Sequence, residues 1–181
     1  VDVLCVNLYA FEQTVSGQHS HEEAIESIDI GGPAMIRAGA KNHGHVAVVV
    51  DPADYARVAE AVSTGRLDQL RRELAAKAFR HTAFYDSMIS RYLSEEAYPE
   101  TLTIGLRRKL SLRYGENPHQ SAALYVDPLA RPGLAQANQV WGKELSYNNL
   151  LDADAAWELV ADLPAGSCAI IKHGNPCGAA I

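Results

Sequence analysis

An α/β protein in two parts is what this sequence predicts, and three observations carry the reading. Short apolar runs, at residues 1–9, 45–50 and 168–171, are dense in Val, Ile and Leu and have the length of strands. From Asp68 to about Leu93, the residues Leu70, Leu74, Ala78, His81, Tyr85, Met88 and Tyr92 recur at three- and four-residue steps, one face of a long amphipathic helix. After a polar break near residues 94–105 the pattern changes to shorter strands and turns. That break is the expected domain boundary, with residues 1–104 on one side and 105–181 on the other.

The elements follow in order. Residues 1–9 read as a strand, then a polar loop through Ser16 and His21, then a short helix from Glu22 to Ile28. Asp29-Ile30-Gly31-Gly32-Pro33 is a turn with Pro33 at the first helical position, where its missing N–H costs nothing. A short Ala-rich helix, 34–40, leads to a buried strand, 45–50. Asp51 caps and Pro52 opens a helix to about Ser63, ended by Thr64-Gly65. Beyond the break come a loop at 114–120, a strand at 122–126, a turn region at 127–133, a helix from about 151 to 163 and a last buried strand at 169–171. Trp141 and Trp157 are expected to anchor a core.

Composition narrows the function classes. The 181 residues are 48% hydrophobic, enough for a proper core. The net charge of −6 argues against a nucleic acid or an anionic membrane as the main partner. Positive charge nevertheless gathers near candidate sites, at Arg37, Lys41, Arg107, Arg108, Lys109, Arg113 and Lys172, which suits a small anionic ligand. Three cysteines, Cys5, Cys168 and Cys177, form no disulfide framework or zinc set, so a reducing, cytoplasmic setting is expected. No apolar run approaches the roughly 20 residues that span a bilayer. The chain opens without Met inside an apolar run and stops just past Lys172-His173. It is expected to be an internal piece of a longer polypeptide.

The densest chemistry lies at Lys172-His173, where the last strand meets the turn Gly174-Asn175-Pro176. A His that titrates near neutrality beside a fixed positive charge suits general-base work on a substrate developing negative charge. A solvated strand corner is the plain alternative. Upstream, Arg113-Tyr114, Asn149 and Asp152 add a phosphate fork, a stacking phenol and an amide for a heterocycle, which together suit a phosphorylated planar substrate.

A second constellation joins Asn7 and Tyr9 at a strand end, Asp29 before Gly31-Gly32, and Lys41-Asn42 after the next helix. It offers an acid/base pair, a hydroxyl and a helix N-terminus. Taken alone, Asp-Ile-Gly-Gly is also an ordinary turn. His43-Gly44-His45 lacks a third metal ligand at suitable spacing and reads as a surface turn; His81 and Tyr85 read as packing or interface residues. Pro176-Cys177 is half of the zinc nucleobase deaminase signature, but no second Cys follows, so that zinc cannot be held.

Six strings occur here in one order: Asn7-Leu8-Tyr9, Ile28-Asp29-Ile30-Gly31-Gly32, Arg37-Ala38-Gly39-Ala40-Lys41-Asn42-His43, Leu112-Arg113-Tyr114-Gly115-Glu116-Asn117-Pro118-His119-Gln120, Ser146-Tyr147-Asn148-Asn149-Leu150-Leu151-Asp152-Ala153 and Lys172-His173-Gly174-Asn175-Pro176-Cys177-Gly178. Through them the chain resembles, over essentially its whole length, the bacterial AICAR transformylase/IMP cyclohydrolase family of purine biosynthesis. The resemblance implies the C-terminal part of a methylglyoxal-synthase-like α/β domain joined to the start of a cytidine-deaminase-like α/β domain without zinc.

For the first domain it implies dehydrative closure of formyl-AICAR to IMP. Lys41 would move protons with Asp29 as its hydrogen-bonded partner, Tyr9 would donate to the departing oxygen, and Val6, Asn7 and Ile30 would line the nucleotide. For the second it implies formyl transfer from 10-formyltetrahydrofolate, a co-substrate rather than a bound cofactor, to the AICAR amine. His173 would be the base, Lys172 the transition-state stabiliser, and Arg113 and Tyr114 the AICAR-binding pair. A homodimer is implied, with no metal. The family pattern has Pro where Ala10 stands and Ala where Gly39 stands, and Gly39 is expected to weaken its helix by about 1 kcal/mol. The competing expectation is an inactive fragment, a nucleotide-binding or dimer-interface piece. A stand-alone methylglyoxal-synthase-like lyase would have no use for the residues after 105.

Overall fold

The computed structural model describes residues 1–181, and the chain divides into two compact units, Val1–Gly105 and Leu106–Ile181. Both mix helices with small sheets, a mixed α/β architecture. No helix is long and apolar enough to cross a membrane.

In the first unit, β1 (Val3–Cys5) pairs in parallel with β2 (Ala47–Val49), Leu4 opposite Val48. The Val6 N–H continues the ladder to the Val49 carbonyl at 3.0 Å. The strand is thus shorter than the apolar run 1–9, although the run keeps its alternation. Leu4, Val6 and Leu8 pack inward, while Cys5, Asn7 and Tyr9 face out.

The polar stretch after Tyr9 contains α1 (Phe11–Ser16), where a loop was expected. It lacks a side-chain cap and is held by Phe11, which is fully buried. α2 (His21–Glu26) begins at a capping box, in which Ser20 and Glu23 satisfy each other's backbone N–H. α3 (Gly31–Lys41) starts earlier than expected, so Pro33 is its third residue. The reason is Asp29, whose Oδ1 accepts the Gly32 N–H at 2.7 Å and caps the helix from outside.

Asp51 and Pro52 open a 3₁₀ turn, Pro52–Asp54, before α4 (Tyr55–Ser63). Asp51 accepts the Ala53 N–H at 2.9 Å, and Gly65 (φ +66°) then reverses the chain. α5 (Asp68–Leu93) has the expected bounds. β2 is buried on both sides. Val46, Val48 and Val50 meet Ile36 and Ala40 of α3 and Ala75 and Ala78 of α5. Ala47 and Val49 meet Val58 and Ala61 of α4 with Leu67 and Leu74.

In the second unit, β3 (Arg107–Leu112) pairs antiparallel with β4 (Ala122–Val126), and a register shift falls between Arg108 and Leu110. α6 (Tyr147–Ala161) starts four residues before the expected point, because Ser146 and Asn149 form a capping box. β5 (Cys168–Lys172) and β6 (Asn175–Ala180) make a hairpin around His173-Gly174. β5 is not the buried strand expected: with β6 as its only partner and α6 against it, alternate residues stay exposed. Trp141 (91% exposed) and Trp157 (50%) likewise anchor no core within this chain, since no element of the unit covers them.

Candidate functional site

The alternation of the first strand run puts Asn7 and Tyr9 on the outward face, and the cap of α3 puts Asp29 beside them. Asp29 Oδ2 accepts the Tyr9 N–H at 3.3 Å while Oδ1 holds the Gly32 N–H. Each carboxylate oxygen keeps a lone pair for a ligand. Gly32 has to be glycine: a Cβ there would lie 2.6 Å from Leu8 Cδ2 and 2.7 Å from Asp29 Oδ2. Tyr9 (63% exposed) and Ile30 (79%) flank the carboxylate, one with a free-standing phenol and one with an apolar face.

This corrects two expectations. The N-terminus of α3 is not an open anion cradle, because Asp29 already takes the Gly32 N–H and brings its own negative charge. Lys41 is not joined to Asp29: it is the exposed last residue of α3, at the far end of an 11-residue helix about 16 Å long. Val6 turns its side chain into the core, and its N–H is taken by the Val49 carbonyl. Asn7 Nδ2 donates to the Tyr55 hydroxyl at 3.2 Å. That phenol is raised above its usual value by its hydrogen bond with Cys5, which outweighs the opposing effect of Asn7.

In the second unit, the first turns of α6 organise the remaining candidates. The Arg113 N–H reaches the Leu145 carbonyl at 2.8 Å, and the Tyr147 N–H reaches the Tyr114 carbonyl at 3.1 Å. Asn148 Nδ2 donates to the Glu116 carbonyl at 2.9 Å. Arg113 folds over Tyr114, its guanidinium carbon 4.8 Å from the ring centroid and Nη2 3.1 Å from the hydroxyl. The Ser146 hydroxyl and the Arg113 charge hold the Tyr114 phenol below its usual value.

Asn149 Oδ1 accepts from the Ser146 N–H and hydroxyl, both at 3.0 Å, so only its amide N–H₂ is left for a ligand. Gly115, Glu116, Gln120, Ser121 and Tyr147 line an open cleft next to this turn. Asp152, one turn further along α6, accepts the Gly174 N–H at 2.7 Å. His173 (φ +55°) and Gly174 (φ +69°) both take left-handed backbone, the pattern of a tight type I′ hairpin turn. For His173 that conformation costs on the order of 1–2 kcal/mol and holds the Lys172-His173 pair at the exposed tip. No group of three or more His, Cys, Asp or Glu side chains is placed to hold a metal ion.

The family model described as AICARFT/IMPCHase bienzyme matches residues 39–181. The chain belongs to that family.

Among bienzyme relatives, the bifunctional purine biosynthesis protein PurH of Persephonella marina is 52% identical over 190 residues, covering 100% of this chain and 37% of its own length. The PurH proteins of Caulobacter vibrioides and Anoxybacillus flavithermus are each 53% identical over 188 residues, covering 100% of this chain and 36% and 37% of their own lengths. The chain therefore spans little more than a third of these relatives. Two tyrosines whose hydroxyls reach candidate-site residues, Tyr55 at Asn7 and Tyr85 at Asp29, did not stand out as site residues in the sequence. For Tyr85 the one available signal was that a Tyr on a buried helix face needs a partner for its hydroxyl; Tyr55, 41% exposed, gave none.

Proposed function

We propose that this chain contributes parts of two active sites to the last two steps of IMP synthesis. Residues 1–104 belong to a methylglyoxal-synthase-like cyclohydrolase domain, and residues 105–181 to a cytidine-deaminase-like transformylase domain. Substrates are AICAR, 10-formyltetrahydrofolate and formyl-AICAR; the working protein is a cytoplasmic homodimer without a tightly bound cofactor. The observation that carries the reading is the doubly anchored Asp29 between exposed Tyr9 and Ile30, in a chain whose family is bifunctional.

In ring closure, the carboxamide nitrogen of formyl-AICAR attacks the formyl carbon. Asp29 takes a proton from that nitrogen, and Tyr9 donates toward the formyl oxygen. The formamide nitrogen then gives up its N–H proton as the C–O bond breaks, forming the ring C=N and releasing water. Val6, Asn7 and Ile30 line the nucleotide. Lys41 enters as the proton-transfer lysine on the resemblance alone, since α3 separates it from Asp29. In formyl transfer, His173 takes a proton from the AICAR amine as its nitrogen attacks the formyl carbon. Lys172 gives a proton to the folate nitrogen as the old C–N bond breaks. Arg113 grips phosphate, Tyr114 stacks on the heterocycle, and Asn149 donates to its amide.

The test uses the full-length enzyme, with the two reactions assayed separately. His173→Ala is expected to abolish formyl transfer and spare ring closure, while Asp29→Asn does the reverse. Loss of both activities in both variants, at wild-type stability, would sink the assignment of two separate sites.

A further inference from the structure

We infer that Tyr85 is a positioning residue for ring closure, clamping the turn that presents Asp29. The inference rests on the cyclohydrolase reading of that site. Tyr85 lies on α5, 56 residues along the chain from Asp29, and is 8% exposed. Its hydroxyl accepts the Asp29 N–H at 2.8 Å and donates to the Ser27 carbonyl at 3.1 Å. One phenol therefore ties both ends of the Ser27-Ile28-Asp29 turn.

These backbone groups lie between α2 and α3 and are not part of either helix's own ladder, so the phenol supplies the partners that burial requires. The Tyr85 ring also meets Phe11 edge to face, with centroids 6.1 Å apart. Phe11 is fully buried, and its N–H donates to the Tyr9 carbonyl at 2.9 Å. The two reacting-site residues thus share one support. Tyr85 holds the backbone of Asp29 directly, and through Phe11 it backs the main chain of Tyr9. Asp29 in turn accepts the Tyr9 N–H, which closes the frame.

Burial raises the phenol's pKa above its usual value, which keeps the proton that reaches Ser27. Both capacities of the hydroxyl engage the main chain, and the ring is covered. Tyr85 therefore acts through Asp29 rather than on the substrate. A carboxylate displaced by a fraction of an ångström loses rate more than affinity, because the displacement spoils the attack geometry and leaves the nucleotide contacts intact.

The experiment is Tyr85→Phe in the full-length enzyme, which keeps the ring against Phe11 and removes only the hydroxyl. Ring closure of formyl-AICAR is expected to lose about tenfold in kcat with KM within about twofold, while formyl transfer is unchanged. Leu74→Ala, on the same helix about three turns before Tyr85 and buried in the cluster with Val49 and Val58, calibrates plain destabilisation. It is expected to lower the melting temperature without moving the ring-closure kcat. Wild-type kcat in Tyr85→Phe, with Asp29→Asn inactive, overturns the inference alone. An Asp29→Asn enzyme that still closes the ring overturns the underlying site reading instead. Amide exchange in the wild-type enzyme needs no variant: the Asp29 N–H is expected to be protected, and exchange at the rate of a free amide would overturn the clamp.

Discussion

Lys77 Nζ on α5 stands 2.5 Å from Asp51 Oδ2 and 2.8 Å from Asp54 Oδ2, tying the cap of the α4 turn to the long helix. Asp54, which is buried, also takes Arg57 Nε at 2.9 Å, and Arg57 reaches Glu73 at 2.8 Å. The hydrogen bond from Lys77, then that from the Ala53 N–H, holds Asp51 below its usual value. Lys77 itself is raised, because burial, which lowers it, is outweighed by hydrogen bonds to Asp51 and Asp54.

The signs give a plateau. Asp51 stabilises fully above the ordinary aspartate value near pH 4, and that part is lost as pH falls through its lowered folded value. Lys77 stabilises fully below about pH 10.4, and that part is lost as pH rises through its raised folded value. Asp51 is 40% exposed, so the Asp51 pair is worth on the order of 0.5–1 kcal/mol. Urea midpoints at pH 3, 7 and 11 check this. Lys77→Met is expected to be less stable at pH 7 and to decline less at both extremes; equal slopes for the two proteins would refute it.

Gly39 was expected to weaken α3, and its surroundings reverse that expectation. A Cβ at this position would lie 2.7 Å from Val48 Cγ2 and 2.8 Å from Leu4 Cδ2. The helix sits on the sheet at this point, and only hydrogen fits between them. Gly39→Ala gains about 1 kcal/mol of helix propensity but incurs about 1–3 kcal/mol of overpacking. The expected net is a loss of about 1 kcal/mol. Combining it with Val48→Ala should recover the clash, giving a coupling of about 1 kcal/mol in a double-mutant cycle. Additive effects would show that α3 shifts freely.

What the sequence made legible followed from periodicity, and what it hid followed from distance. α5 was readable because Leu74, Ala78, Tyr85 and Met88 repeat at helical steps over about four turns, long enough for the pattern to outweigh local noise. β4 was readable from its alternation between turn signals. α1 was not, because six residues without a cap carry little local signal and their helix depends on Phe11 reaching a distant core. The start of α6 was hidden by an Asn where a capping box usually shows Glu or Gln. In the candidate site, Tyr9, Asp29 and Gly32 were nameable from their strings, but their mutual hydrogen bonds were not. The separation of Lys41 from Asp29 follows from α3 being continuous, which the expected shorter helix already implied.

Ser146 carries two duties that one substitution would expose. It caps α6, and its hydroxyl neighbours the Tyr114 phenol. Ser146→Ala is expected to cost about 1 kcal/mol of stability and to raise the Tyr114 phenol toward its usual value. Ultraviolet titration of tyrosinate, with Tyr114→Phe as the reference, separates this group from the other tyrosines. A titration curve identical to wild type would show that Arg113 alone perturbs the phenol.

Asp152 gives the sharpest test of the second unit. Its Oδ1 accepts the Gly174 N–H at 2.7 Å, so α6 fixes the hairpin tip that carries Lys172 and His173. His173 holds a left-handed conformation that an unsupported turn would readily relax. Asp152→Ala in the full-length enzyme is therefore expected to lower the formyl-transfer kcat by about tenfold, with ring closure unaffected. Asp152→Asn keeps an acceptor oxygen at the same place and should recover most of that loss. The pair also distinguishes support from substrate contact. If Asp152 touched AICAR through its charge, Asn would fail as badly as Ala, and KM would rise in both. Recovery by Asn with KM unmoved assigns Asp152 to the turn; failure of Asn assigns it to the substrate.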